Sequence, residues 1–170
     1  TSAPSWLRQR RDEAMQQFRA HGFPTTRQED WRFTNISPIV ETAFAAAPLM
    51  PTIAQVAPHV LAEATPYVAV IAGGRFSPEL SSHEDKPKGV WVGSLAQALV
   101  TLPDRLEPAL GRIAAGDHPF VWLNTGLFED GVLVHVPANT IVDVPIQIHI
   151  ASDAASDPTV SHPRVLISAG

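Results

Sequence analysis

The sequence predicts an α+β fold in two parts: a helix-rich α/β domain over residues 1–128, then the first strands of a β-solenoid core domain over residues 129–170. Three observations carry this. Apolar residues recur at helical spacing from Leu7 to Phe18 and from Leu95 to Leu102. The continuous apolar run Tyr67 to Ala72 ends in Gly73-Gly74, as a buried strand entering a turn would. After Asp130-Gly131 the period changes to two: Val132, Val134 and Val136 alternate with Leu133 and His135, and Ile146, Ile148 and Ile150 alternate with Gln147 and His149. Pro137-Ala138-Asn139 and Pro145 mark corners between these runs. Proline is tolerated at strand starts and bulges but not inside a central strand, so short strands with proline corners suit a solenoid coil. One coil cannot bury its own face, so the chain reads as the head of something longer.

The elements follow in order. Pro4 to His21 is a helix with Leu7, Ala14 and Phe18 on one face and the stem of Arg11 between them; Pro4 suits its first turn, and Gly22 with Pro24 stops it. Arg8, Arg10 and Arg11 are expected to form a solvated face. Thr26 with Glu29, or Thr25 with Gln28, fits a capping box opening a short helix through Trp31 and Phe33. Ser37-Pro38 reads as the N-cap and first residue of a second helix, with Ile39, Val40, Ala43 and Phe44 turned inward. Residues 45–65 read as loop with some helix; Thr52 and Gln55 could cap a turn that Pro58 would break. Val90-Trp91-Val92 is a second strand, and Ser94 with Gln97 caps the helix that follows. Pro103 to Ala115 is expected to be helical, and Asp117 to cap a short helix through Phe120, Leu123 and Leu127. A last strand is expected at Arg164 to Ser168.

Composition narrows the function. Twelve basic against 17 acidic residues leave a net charge of −5 and no basic stripe, which argues against nucleic acid as a partner. There is no cysteine, so disulfides, Cys-type zinc sites and thiolate-held iron–sulfur clusters are excluded within these residues. No apolar run approaches the roughly 18 residues of a membrane span, and the N-terminal stretch lacks an apolar signal core. No membrane partner and a cytoplasmic location are therefore expected.

No constellation of acid, base and nucleophile assembles from the residues. His83-Glu84-Asp85 is the one local cluster of metal-ligand types, but neighbours on an extended chain point to opposite sides, and a polar surface loop is the better reading. His118, His135, His149 and His162 are spread across the later strands. His135 and His149 fall out of phase with the inward Val and Ile; on adjacent rungs they could approach each other, yet a metal needs three or four ligands. Gly73-Gly74-Arg75 lacks the further glycines and the helix of a phosphate cradle. Ser81 and Ser82 beside His83 have no positioned acid. Trp31, Trp91 and Trp122 read as core anchors, and Arg27 with Asp30 as an i,i+3 pair. The catalytic and metal-binding sets are thus empty, and no residue marks a cofactor site.

Two motifs carry a resemblance. Gly22-Phe23-Pro24-Thr25-Thr26-Arg27 through Glu29-Asp30-Trp31-Arg32-Phe33-Thr34-Asn35 resembles the N-terminal signature of the SufB/SufD family of the SUF iron–sulfur assembly machinery, in the form typical of its SufD branch. Leu123-Asn124, Asp130-Gly131, Val136-Pro137 and Val144-Pro145-Ile146 resemble the LN…DG…VP…PI run that opens the family's core domain. Ile71 to Ser81 resembles its strand–turn segment, with Gly73-Gly74 where Asn-Gly is more usual. The resemblance spans about residues 7–150 and implies a right-handed parallel β-helix core and a non-catalytic scaffold role beside SufB and the ATPase SufC. It places the SufC-binding and cluster-site regions beyond these residues, so none of those residues is carried over. No cofactor is expected in this stretch; the iron–sulfur cluster, and the reduced flavin linked to family complexes, belong to the whole complex. The open end of the strand set is expected to self-associate or to be poorly ordered after about residue 150. The alternative reading is a β-helix enzyme such as a hexapeptide-type acyltransferase, with PANTIVDVPIQI as one degenerate repeat.

Overall fold

The computed structural model describes residues 3–47, 56–61, 67–82, 86–114, 116–152 and 157–170. Among the described residues the architecture is α+β with three small sheets. Helix α1 (Ser5–His21) leads through a 3-10 turn at Glu29–Trp31 to α2 (Ser37–Val40) and strand β1 (Ala45–Ala46). After a turn at Ala57–His59 come β2 (Val68–Ala72), β3 (Arg75–Phe76), β4 (Trp91–Ser94), α3 (Leu95–Thr101), α4 (Pro103–Leu106) and α5 (Pro119–Leu127). The last strands are β5 (Gly131–Val136), β6 (Gln147–Ala151), β7 (Thr159–Val160) and β8 (Arg164–Ala169).

The sheets are ordered β1-β7, β3-β2-β6 and β4-β5-β8. Each joins a strand from before residue 128 to one from after it. The pairs β1/β7, β2/β6 and β5/β8 are parallel, whereas β2/β3 and β4/β5 are antiparallel. Along β5 and β8, Gly131 lies opposite Arg164 and Val136 opposite Ala169.

The layering explains where period-two reasoning fails. One core packs Leu7, Leu95, Leu99, Leu106 and Phe128 from the helical side against Leu133 and Leu166 of the β4-β5-β8 sheet. A second lies between that sheet and β3-β2-β6, with Val132 and Val134 facing Ala69 and Ile71. A third covers the far side of β2 with Val56 against Val68 and Val70. Strands β2 and β5 are thus covered on both faces, and such strands read as continuous apolar runs rather than alternating ones. Leu133 is as buried as its Val neighbours.

Several local expectations hold. The carbonyl of Pro4 accepts from the N–H of Leu7 and Arg8, and the N–H of Gly22 closes α1 on Phe18. Ser94 Oγ accepts from the N–H of Gln97 at 3.0 Å and caps α3. Of the two capping registers, the alternative, Thr25 with Gln28, forms by half: Gln28 Oε1 accepts from the Thr25 N–H at 3.0 Å, while the Gln28 N–H bonds the Thr25 carbonyl rather than its hydroxyl.

Others are corrected. Ile39, Val40 and Phe44 are 46%, 48% and 41% exposed, while Ile36 is buried at 8%. Helix α2 has one turn, too short to hold a face against the core, and Asn35 Oδ1 rather than Ser37 accepts from its opening N–H. The helix expected to reach Ala115 stops at Leu106, because Pro108 has no N–H to continue it. The α5 cap is His118, not Asp117. Ile141-Val142 is not strand, and Ile141 is 80% exposed. Of the arginines placed on a solvated face, Arg10 and Arg11 are half-buried and donate to the carbonyls of Leu110 and Phe128. Long basic side chains bury their stems and keep the head polar-bonded. The ion pair near the first turn is Glu29–Arg32 at 3.8 Å rather than Arg27–Asp30. Thr52 and Gln55 lie outside the described residues.

Candidate functional site at the Asp130 junction

Among the described residues, those weighed for catalysis or metal binding do not converge. His83, Glu84 and Asp85 lie outside the described residues. His135 is on β5 and His149 on β6, in different sheets, so they are not neighbours on adjacent rungs. His118 packs in a triangle with Trp31 and Phe120, its ring tilted against theirs with centroids 5.5 and 6.0 Å away. Ser81 Oγ accepts from the Val70 N–H at 2.9 Å and donates to the Ser77 carbonyl, a structural role. Gly73-Gly74 forms the β2–β3 turn with both residues at positive φ (54° and 88°). A Cβ on Gly74 would lie 2.8 Å from Ser161 Cβ, so the close approach of β7's end requires glycine. Trp122 is buried, while Trp31 and Trp91 are half-buried. No three His, Cys, Asp or Glu side chains cluster among the described residues.

What does converge is the Leu123-Asn124 to Asp130-Gly131 motif. Asp130 is the buried charged residue of the core, 8% exposed. Its Oδ1 accepts from Ser94 Oγ and from the Ala96 N–H, both at 2.9 Å, and its Oδ2 accepts from the Phe76 N–H at 3.0 Å. One carboxylate thereby ties β3, the end of β4 and the first turn of α3 to the start of β5. Carboxylate acceptors beside a helix's opening N–H groups are favoured by its dipole, and charge-assisted bonds are the strong ones. The Asp130 carbonyl accepts from the Arg164 N–H at 3.2 Å, which begins the β5/β8 register. Gly131 makes that possible: at φ 154° a Cβ there would lie 1.8 Å from the Arg164 carbonyl oxygen. Asn124 Nδ2 donates to the Pro163 carbonyl at 2.9 Å, fixing the residue just before β8. At the far end the Gly170 N–H bonds the Val136 carbonyl at 3.0 Å.

Two guanidiniums clamp the neighbouring ring. Arg11 lies over Phe128 at 4.8 Å and Arg164 at 5.5 Å. Arg11 donates to the Phe128 carbonyl at 2.7 Å, and Arg164 to Thr125 Oγ1 at 2.8 Å. Burial lowers the pKa of both; for Arg11 the nearby Glu129 works partly against that. Both stay charged, because guanidinium is not deprotonated in proteins. Glu129 itself pairs with Arg75. These contacts orient and hold chain. They present no activated nucleophile and no paired acid and base.

Sequence reasoning read Asp130 as a turn residue and Arg11 as a stem; it passed over Phe128 and Arg164. The signal that could have found Asp130 is an acid flanked by buried apolar runs, which needs several donors to be buried at all.

Comparison with known proteins bears on the same motifs. The family model described as the SufBD protein N-terminal region matches residues 1–148. An iron–sulfur cluster assembly SufBD family protein of Synechocystis sp. is 30% identical over 145 residues, which cover 85% of this chain and 32% of that protein. The chain thus spans about a third of the length of the curated relative it matches.

Proposed function

This chain belongs to the SufBD family, and from that premise we propose that it is a non-catalytic scaffold subunit of the SUF (SufBCD) machinery, of the SufD branch. Family membership supports a role in iron–sulfur cluster assembly. In this reading residues 1–128 form the head, and residues 129–170 begin a right-handed parallel β-helix. The observation that carries it is the Asp130 junction. It sets β5 and β8 side by side in parallel while β6 goes to another sheet, as successive strands of a coil would. Helices cover the outer face of that coil and strands its inner face.

The remaining roles follow from the branch. The β-helix pairs with that of SufB. SufC, which carries the ATP hydrolysis, binds regions that these residues do not include. The cluster is cargo of the complex, and the reduced flavin belongs at that level too. The location is cytoplasmic, and no described helix is long and apolar enough to cross a membrane. β8 is the outer strand of the β4-β5-β8 sheet, and in this reading its free edge pairs with another copy when nothing else covers it.

Co-expression of the tagged protein with SufB and SufC tests the assignment. A stable complex holding all three is expected. Recovery of the tagged protein without either partner, under conditions where SufB and SufC recover each other, overturns it.

A further inference from the structure

A second crevice lies on the helical side of the β4-β5-β8 sheet, away from the Asp130 junction. Its cavity of about 240 Å³ opens between α4 and the C-terminal ends of the parallel strands β5 and β8. Leu102, Leu106, Leu133 and Leu166 make its apolar floor. Three polar groups stand at the rim: Arg105 from α4, His135 from β5 and Ser168 from β8. Apolar crevices with a few convergent polar groups are where proteins bind small ligands.

The rim is basic and loosely bonded. Arg105 reaches His135 Nε2 at 3.4 Å, and His135 Nδ1 faces Ser168 Oγ at 3.4 Å. Both distances exceed a normal hydrogen bond. Guanidinium only donates, so Arg105 brings a cation and no acceptor to the rim. Among the described residues no carboxylate lies within 4 Å of Arg105, although the chain carries an acidic excess. Trp91, the cross-strand partner of His135, leaves its indole N–H without a hydrogen-bond partner.

We infer that this crevice binds a short aliphatic carboxylate. The carboxylate would sit between Arg105 and the Ser168 hydroxyl, and the alkyl chain would lie on the leucine floor. A bare phosphate would leave that floor wet, and a neutral alcohol would leave Arg105 without its anion. The site is independent of the scaffold role.

The test is an NMR titration of the ¹⁵N-labelled chain with hexanoate, hexan-1-ol and inorganic phosphate, followed at the amides of His135 and Ser168. Hexanoate is expected to give saturable shifts, and the other two only shallow, non-saturating ones. Arg105→Gln should weaken hexanoate by about tenfold or more, the loss of one charge-assisted pair. Arg105→Lys should retain part of the affinity. Arg105 is exposed, so neither change should alter the circular dichroism spectrum. Absence of saturation with hexanoate, equal binding of phosphate or hexanol, or an unchanged affinity in Arg105→Gln would each overturn the proposal.

Discussion

At the scale of single residues, the chain rests on one buried carboxylate and one glycine. Asp130→Ala removes three acceptor contacts, those from the Phe76 N–H, the Ala96 N–H and Ser94 Oγ, inside the core. A cost of about 3 kcal/mol is expected in urea unfolding. Gly131→Ala places a methyl against the Arg164 carbonyl, so β5 and β8 must part at their start; a loss of more than about 3 kcal/mol is expected by the same measurement. Ser94→Ala removes an N-cap and an Asp130 donor, and should cost about 1–2 kcal/mol. Two histidines contribute to the pH response. Burial lowers the pKa of His162 and of His149, and His59 adds to the effect at His149. A histidine whose folded pKa lies below its unfolded value near 6.5 binds its proton first in the unfolded chain. Stability should therefore be flat above about pH 7, fall as pH drops through about 6.5, and level off below the folded values. His162→Gln should shallow that fall in thermal melts taken from pH 7.5 down to about pH 5.

At the scale of elements, legibility tracked whether local chemistry or tertiary cover decided the outcome. Helix α1, the Ser94 cap and the Gly73-Gly74 turn were legible because their signals lie within a few residues of one another. The inward face given to Ile39, Val40 and Phe44 was not, since a one-turn helix has no face of its own and its burial depends on what lands on it. Strand β5 was legible as a strand but not as one covered on both faces, because the helices on its Leu133 side come from distant sequence. The candidate site divides in the same way. The Asp130-Gly131 pair was visible as a motif, but its three donors come from segments 34 to 54 residues away. Arg11, whose stem fell on the inward face of α1, and Arg164 both lie over Phe128 from opposite ends of the chain, a meeting that no local signal marked. Phe128→Ala should accordingly loosen α5 from α1 and β8 together, costing about 3–5 kcal/mol on chemical denaturation.

At the scale of the whole molecule, every sheet joins a strand from before residue 128 to one from after it, so the head and the first strands of the later segment stabilise each other. A scaffold built this way transmits position rather than chemistry: where β8 points is set by Asp130, Gly131 and Asn124. The most direct measurement is amide hydrogen exchange across residues 131–169 in the wild type and in Asp130→Ala. The account predicts that the variant loses protection in β5 and β8 first and most, while the buried turns of α1 keep theirs. Unchanged protection in β8, or an even loss from α1 through β8, would contradict it.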